Sequence, residues 1–342
     1  MTTIVTRPRG AIAVVSALLA MAFSMNGAAA ETVLKFGIFT PPQEPTNVHL
    51  MKPFADAATK DSKGTIRIET YPGGTLGRNP RAQLKLMYDG VADMTWMVPS
   101  YTPGRFPDNS VFELPGFFKN ATEASLTIWR MYKKGMLRGY DNMKVVMLVC
   151  THPYGVHAKT PITKVSDFKG RKVRAGGPIF ATAIRAMGGT PVGMPAPAVA
   201  ESLSRGVIDS VAFEWNGYVA FRTAEVAKFH YMANLGCAPL LLGMNKKRYE
   251  SLPKAGRDAI DKNSGELSSV RFGKLHDKIN SSLLAKYSKA SDHKVVVPAG
   301  EDLKRLNAIQ TQVVADWGKK SARNAKLIEA VKAEVRNIRA GK

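Results

Sequence analysis

Strand-like and helix-like stretches alternate twice over in this sequence, once before about residue 100 and again after about residue 170, and that alternation admits few architectures. Thr32 to Phe39 is β-rich, Asn47 to Lys60 carries apolar residues at helical spacing, and Thr65 to Thr70 alternates Ile with polar residues as a half-buried strand does. Tyr71-Pro72-Gly73-Gly74 breaks the chain, Pro80 to Tyr88 reads as a helix closed by Gly90, and Val91 to Val98 reads as another strand. The order returns with Arg171 to Ala175 as a strand, a helix with Pro178 in its first turn ending at Gly188-Gly189, and a short strand near Val192. A helix over about Pro197 to Arg205 and a third apolar strand from Ile208 to Phe213 complete the second half. Each half thus predicts an α/β domain on a parallel sheet covered on both faces, and the length exceeds what one such core usually needs. Leu240 to Met244 reads as a further strand. Lys254 to about Lys289 is largely helix-compatible, a run of roughly 50 Å, long enough to cross both domains. Asp302 to Arg339 predicts two more amphipathic helices broken around Ser321 to Asn324.

The first thirty residues have a different character. Arg7 and Arg9 precede an apolar stretch from Ala11 to Met25, then Ala28-Ala29-Ala30, the three-part layout of a secretory signal with a mature start at Glu31. The apolar run is shorter than a membrane span needs and no later one is longer, so a soluble exported protein is expected. Only Cys150 and Cys237 are present, which excludes a disulfide framework; an oxidising compartment would allow one bridge, and two separately buried thiols are the other reading.

Formal charge is +22, and residues 1–30 hold two Arg and no acid, so the mature chain carries 22 − 2 = +20. Such basicity suits an anionic partner or a solvated surface, but Lys and Arg are spread along the whole chain and no aromatic-interleaved basic motif marks nucleic-acid binding. Enzyme signatures are equally absent: there is no Gly-x-Ser-x-Gly, His-Glu-x-x-His, Gly-Lys-Ser/Thr or Gly-x-Gly-x-x-Gly. Ser166-x-x-Lys169 and Ser251-x-x-Lys254 match a serine-lysine spacing by chance. No spacing of His, Cys and acids gathers a metal, and no cofactor is expected.

Arg174 is the residue best placed for chemistry. It ends a strand and precedes the helix beginning near Pro178, which puts a planar fork of donors at the carboxyl edge of a sheet, where α/β proteins open their crevices. A strand-end Arg also serves in structural ion pairs. Trp96, Tyr101 and Phe39 follow strand ends of the first half and suit either a cleft wall or an interdomain seam, while His152 and Tyr154 sit where the chain crosses between halves, as hinge or pocket residues.

Several segments, taken in order, resemble the solute-binding proteins of tripartite ATP-independent periplasmic (TRAP) transporters of the DctP type. They are Tyr71-Pro72-Gly73-Gly74-Thr75-Leu76-Gly77, Gly90-Val91-Ala92-Asp93, Tyr101-Thr102-Pro103-Gly104-Arg105-Phe106-Pro107 and Glu113-Leu114-Pro115-Gly116-Phe117. Asp167-Phe168-Lys169-Gly170-Arg171-Lys172-Val173-Arg174 and Gly206-Val207-Ile208-Asp209 follow. The resemblance implies a two-lobed clamp in the periplasm, hinged by crossing strands and a long spanning helix, that closes on an organic acid and hands it to a membrane permease. It implies one lobe from residues 31–152 and about 241–280, a second from 153–240 and about 281–305, and terminal helices over 306–342 packing on both. It also implies that Arg174 holds the ligand carboxylate. A branch of that family often carries Trp then Glu after the last motif, whereas here Glu214, Trp215 and Asn216 stand in that order. Trp215 is then expected as a rim aromatic and Asn216 as an amide donor, with Phe213 more in the core. Several aromatics around one Arg point to an aromatic or otherwise apolar monocarboxylate. A C4-dicarboxylate or 2-oxo acid is the alternative, with further cations from Arg105, Lys159, Arg185 or Arg222, and an exported enzyme or polyanion binder is the remote one. A monomer is expected.

Overall fold

The computed structural model describes residues 1–3 and 31–342, so the expected export signal lies outside the described residues. In chain order the elements are β1 (Thr32–Ile38), α1 (Lys52–Asp61), β2 (Ile66–Tyr71), α2 (Gln83–Tyr88), β3 (Met94–Met97), α3 (Ala121–Lys133), β4 (Met143–Cys150), β5 (Gly155–Ala158), β6 (Lys172–Ala175), α4 (Pro178–Ala186) and β7 (Thr190–Gly193). There follow α5 (Val199–Ser204), β8 (Ser210–Phe213), α6 (Trp215–Ala220), β9 (Phe229–Tyr231), β10 (Pro239–Asn245), α7 (Lys246–Glu250), α8 (Lys254–Lys262), α9 (Glu266–Lys289), β11 (Lys294–Val296), α10 (Gly300–Lys319) and α11 (Ala322–Arg339).

Two sheets organise two lobes, one in the order β2-β1-β3-β10-β4 and the other β11-β9-β5-β8-β6-β7. The alternation of strand and helix sets β2, β1 and β3 parallel, and likewise β8, β6 and β7. Neither sheet is wholly parallel, however, because β10 runs antiparallel between β3 and β4, and β5 antiparallel between β8 and β9. Those strands are supplied by the chain as it crosses from one lobe to the other, so they enter each sheet against its native direction. Apolar side chains pack on both faces of the first sheet, around Phe36, Trp96 and Phe272 on one side and Phe112, Ile128 and Leu241 on the other. A third core around Phe180, Val211 and Tyr231 fills the second lobe.

The two crossings run side by side and are hydrogen-bonded to each other. Thr151 N–H donates to Ala238 O at 3.0 Å, Tyr154 N–H to Gly236 O at 2.9 Å, and Leu235 N–H back to Tyr154 O at 2.9 Å. Gly236 is obligatory here: its φ is +98°, and a Cβ would stand 2.3 Å from the carbonyl oxygen of Glu113. The long helical run bends at Asn263-Ser264-Gly265, where Gly265 takes φ +82° beneath the Trp129 ring. The remaining 24 residues of α9, about 36 Å, pack on α3 and β4 of one lobe and on α6 and β11 of the other. Asp277 of this helix caps α3 by accepting from the N–H groups of Ala121 and Thr122 at 2.7 and 3.2 Å. Helix α10 lies against the second lobe and α11 returns to α3 on the first. No helix among the described residues is long and apolar enough to cross a membrane.

Cys150 and Cys237 are free, buried thiols rather than a bridge. Cys150 is in register with Pro239, which offsets Cys237 by two positions, and such diagonal neighbours stand about 7–8 Å apart, beyond ordinary disulfide reach.

Candidate ligand-binding site

A small cavity lies between the lobes, walled by Phe39, Trp96, Tyr101, Tyr154, Phe213 and Phe221 and holding two clusters of polar groups. The first is built on Arg174. Strand β6 carries it between β7 and β8, and the turn Gly176-Gly177 that follows lies against its head; a Cβ on Gly176 would stand 3.1 Å from both terminal nitrogens. The side chain is only 1% exposed. Its Nε donates to Met194 O at 3.1 Å, Nη1 to Ala212 O at 3.0 Å and Nη2 to the Tyr101 hydroxyl at 3.0 Å, with the guanidinium 4.5 Å above the Phe213 ring. Three of five N–H donors are thereby used and one on each terminal nitrogen is left over. The Tyr101 oxygen accepts a second bond from Ala196 N–H at 3.0 Å, so both its lone pairs are engaged and its own hydrogen remains to be given.

No carboxylate forms an ion pair with Arg174 among the described residues. The acid that feels its charge is Glu113, whose carboxyl sits against Gly177 at the start of α4 and accepts from the Ser100 hydroxyl. Burial pushes Glu113 up to about 7, opposed by Ser100, by the Ile179 N–H and by Arg174. The guanidinium thus keeps two N–H donors and forms no ion pair with an acid among the described residues.

The second cluster centres on Glu44, in the loop Pro41 to Thr46 after β1. The carboxylate is 4% exposed and accepts from Thr46 N–H at 3.0 Å, the Thr46 hydroxyl at 2.7 Å, Asn47 N–H at 3.2 Å and, across the lobes, Asn216 Nδ2 at 2.7 Å. Because the single Thr46 hydrogen goes to Glu44, its oxygen accepts from His276 Nε2–H at 3.0 Å. His276 is therefore the Nε2–H tautomer, and its Nδ1 is a lone pair with no partner. Burial drives His276 down to about 3, so it is neutral. Nearby Glu214 caps α6 by accepting from Gly217 N–H at 2.6 Å; burial, with Glu44 adding to it, raises its carboxyl to about 8.

Of the residues singled out from the sequence, Arg174, Phe39, Trp96, Tyr101, Tyr154, Phe213, Glu214 and Asn216 all line this one cavity. Phe213 is wall as well as core, because it carries the guanidinium on its face. Asn216 spends one amide hydrogen on Glu44 instead of leaving both free. His152 and Trp215 line a separate hollow behind Tyr154 and Glu214. The Glu214 cap begins α6 so that the next side chain turns inward, and Trp215, 4% exposed, stacks 5.2 Å from Tyr287 and packs on His157, Tyr218 and His230. It is a core aromatic, not a rim one. Beside it three imidazoles stand in file: His157 Nδ1 to His230 Nδ1 at 2.8 Å and His230 Nε2 to His293 Nδ1 at 2.8 Å. Burial holds His157 down to about 3 and His230 lower still. Glu44, Thr46, His276 and Phe221 were not foreseen. A Pro-rich loop gave no sign that its acid turns inward, and His276 lies mid-helix, 230 residues from its Thr46 partner.

Residues 36–321 match the model of the bacterial extracellular solute-binding proteins, family 7. A solved TRAP solute-binding protein from a marine metagenome, specific for aromatic acid ligands and holding 3-hydroxybenzoate, is 31% identical, covers 90% of this chain and 98% of its own, and superposes with a TM-score of 0.84. One from Rhodoferax ferrireducens, with copurified benzoate, is 29% identical over 90% of this chain and 98% of that one, also with a TM-score of 0.84. The C4-dicarboxylate-binding periplasmic protein DctP of Rhodobacter capsulatus is 24% identical over 267 residues, 75% of this chain and 77% of that protein. These are transport proteins, not enzymes. The chain belongs to family 7 of the bacterial extracellular solute-binding proteins, the periplasmic receptors of TRAP transporters, which bind small organic acids and work with membrane permease subunits.

Proposed function

We propose that this protein captures a single-ring aromatic monocarboxylate in the periplasm and delivers it to a TRAP permease. The observation that carries this reading is Arg174, a buried cation with two unused N–H donors and no acidic partner, set in an aromatic wall. A carboxylate laid against that fork takes both N–H groups in parallel, and the Tyr101 hydrogen is available to the same anion. Phe39, Trp96, Tyr154 and Phe221 then cover the ring from both lobes.

Size and charge narrow the choice. The cavity is small, about 60 Å³, and is walled by aromatic rings, which suits one flat ring. A dicarboxylate would need a second cation, and among the described residues none but Arg174 lines the cavity. Arg222 pairs with Glu225, Lys159 donates to Leu203 O, and Arg105 lies over the Tyr88 ring. Glu44 would repel a second carboxylate. Ligand contacts from both sides favour the closed clamp, with residues 31–152 and about 241–280 moving against 153–240 and about 281–305, and the closed monomer is what the permease receives.

A thermal-shift screen of the mature chain tests this against benzoate, phenylacetate, succinate, pyruvate and heparin at low and high salt. A ligand at a hundred times its Kd adds about 2.7 kcal/mol. Stabilisation by aromatic monocarboxylates at both salts is the expected result. A shift with succinate alone refutes the ligand class, and a salt-sensitive shift with heparin alone refutes the capture of a small acid.

A further inference from the structure

Two buried charges face one small cavity, and only the first is explained by an aromatic monocarboxylate. Glu44 is held by four donors that are all uncharged, and no Lys or Arg pairs with it among the described residues. Its bonds are unevenly shared: Oε1 accepts from Thr46 N–H, the Thr46 hydroxyl and Asn216 Nδ2, whereas Oε2 accepts only from Asn47 N–H, at 3.2 Å. A carboxylate oxygen has room for about two bonds, so Oε2 is under-used. His276 adds a second acceptor to the same wall, an imidazole Nδ1 with no partner in a side chain 1% exposed. Asn216 keeps one amide hydrogen unspent beside them. This cluster shares no hydrogen bond with the Arg174 cluster, so the two act on different parts of a bound molecule.

A plain hydrocarbon edge placed against this cluster would leave Glu44 Oε2 with its one long bond and His276 Nδ1 with none, which is costly for a buried carboxylate and a buried ring nitrogen. A second carboxylate would meet like charge. A hydroxyl satisfies the cluster, because it can donate to Glu44 or His276 and accept the remaining hydrogen of Asn216. Resting on the aromatic-acid reading above, we infer that the ligand is a ring-hydroxylated aromatic monocarboxylate, and that Glu44, with His276 and Asn216, selects the hydroxyl. Discrimination by unpaired buried groups is steep, since a site built for a hydroxyl penalises the analogue without one far more than an apolar pocket penalises a missing methylene.

Isothermal titration of the mature protein with benzoate, its three monohydroxy isomers and the corresponding methoxybenzoates reads this directly. At least one hydroxybenzoate binds about tenfold or more tightly than benzoate, the effect of one hydrogen bond to a charged group, and its methoxy counterpart, which cannot donate, loses that gain. In Glu44→Gln the preference for the hydroxybenzoate over benzoate falls to within about threefold. Equal or weaker binding of all three hydroxybenzoates than of benzoate overturns the inference and leaves the aromatic-acid reading standing, as does a preference that survives in Glu44→Gln. Absence of binding by every benzoate overturns both. If Glu44→Gln does not fold, as judged by circular dichroism, the hydroxy-to-methoxy comparison on the wild-type protein decides alone.

Discussion

Replacing Arg174 tests the centre of the site, and its effect can be worked from the bonds around it. The two unused N–H donors give a carboxylate a pair of charge-assisted hydrogen bonds, each contributing about 1.5–3 kcal/mol. Losing both removes about 3–6 kcal/mol, and at about 1.4 kcal/mol per decade Kd for benzoate rises by about 10²–10⁴ in Arg174→Met. Arg174→Lys keeps the charge but not the planar fork that also reaches Met194 O, Ala212 O and Tyr101, so it loses about a hundredfold or more. Without ligand the outcome differs. The carbonyls of Met194 and Ala212 lose their donor, at about 1–3 kcal/mol each, but Arg174→Met also removes an unpaired buried cation, and the two effects oppose. The unliganded melting temperature of Arg174→Met thus stays within several degrees of wild type while binding collapses. Titration calorimetry with circular dichroism measures both. A Kd for benzoate within about fivefold of wild type in a folded Arg174→Met would falsify the assignment of Arg174 as the carboxylate anchor.

Two further outcomes concern the fold. His157 and His276 are held down to about 3 and His230 lower, so the stability they contribute is present above about 6.5 and lost as pH falls. Glu113 and Glu214 are raised to about 7 and 8, so theirs is full below about 4.5 and lost as pH rises through those values. The sum places maximum stability of the unliganded protein near about pH 6 to 6.5, and Glu214→Gln flattens the alkaline side; urea midpoints that climb steadily from pH 6 to 8.5 contradict this. Gly236→Ala forces a Cβ to within 2.3 Å of the Glu113 carbonyl at φ +98° and lowers stability by about 2–4 kcal/mol, and an unchanged melting temperature would mean that the crossing backbone yields.

Arg174 was legible because its position rests on local facts: a short strand, a glycine pair and a helix start fix where a strand-end side chain emerges. Trp96, Tyr101 and Phe39 were legible as cleft-or-seam aromatics for the same reason. Trp215 was misplaced because its direction depends on a single event, the capping of α6 by Glu214, which rotates the next residue from the mouth into the core. Glu44 and His276 lay beyond sequence reasoning, since nothing near either residue says that Thr46 will meet His276 of α9 or that Asn216 will reach Glu44 across the lobes. The antiparallel strands β5 and β10 escaped for a related reason, because their direction is set by which lobe the chain is leaving rather than by their own residues.

Four covalent links tie the lobes: the two crossings bonded to each other through Thr151, Tyr154, Gly236 and Ala238, the rod of α9, and the turn from α10 to α11. A body joined by one flexible tether can twist, slide and tilt freely, but crossings fastened side by side must bend in unison, and a stiff rod set apart from them resists torsion about the pair. What remains is a rocking motion with close to one degree of freedom. On the function proposed above, occupancy of the cavity and the distance between the lobes then cease to be separate variables, so a permease that senses only the outer spacing of the two lobes would tell a loaded receptor from an empty one without touching the ligand.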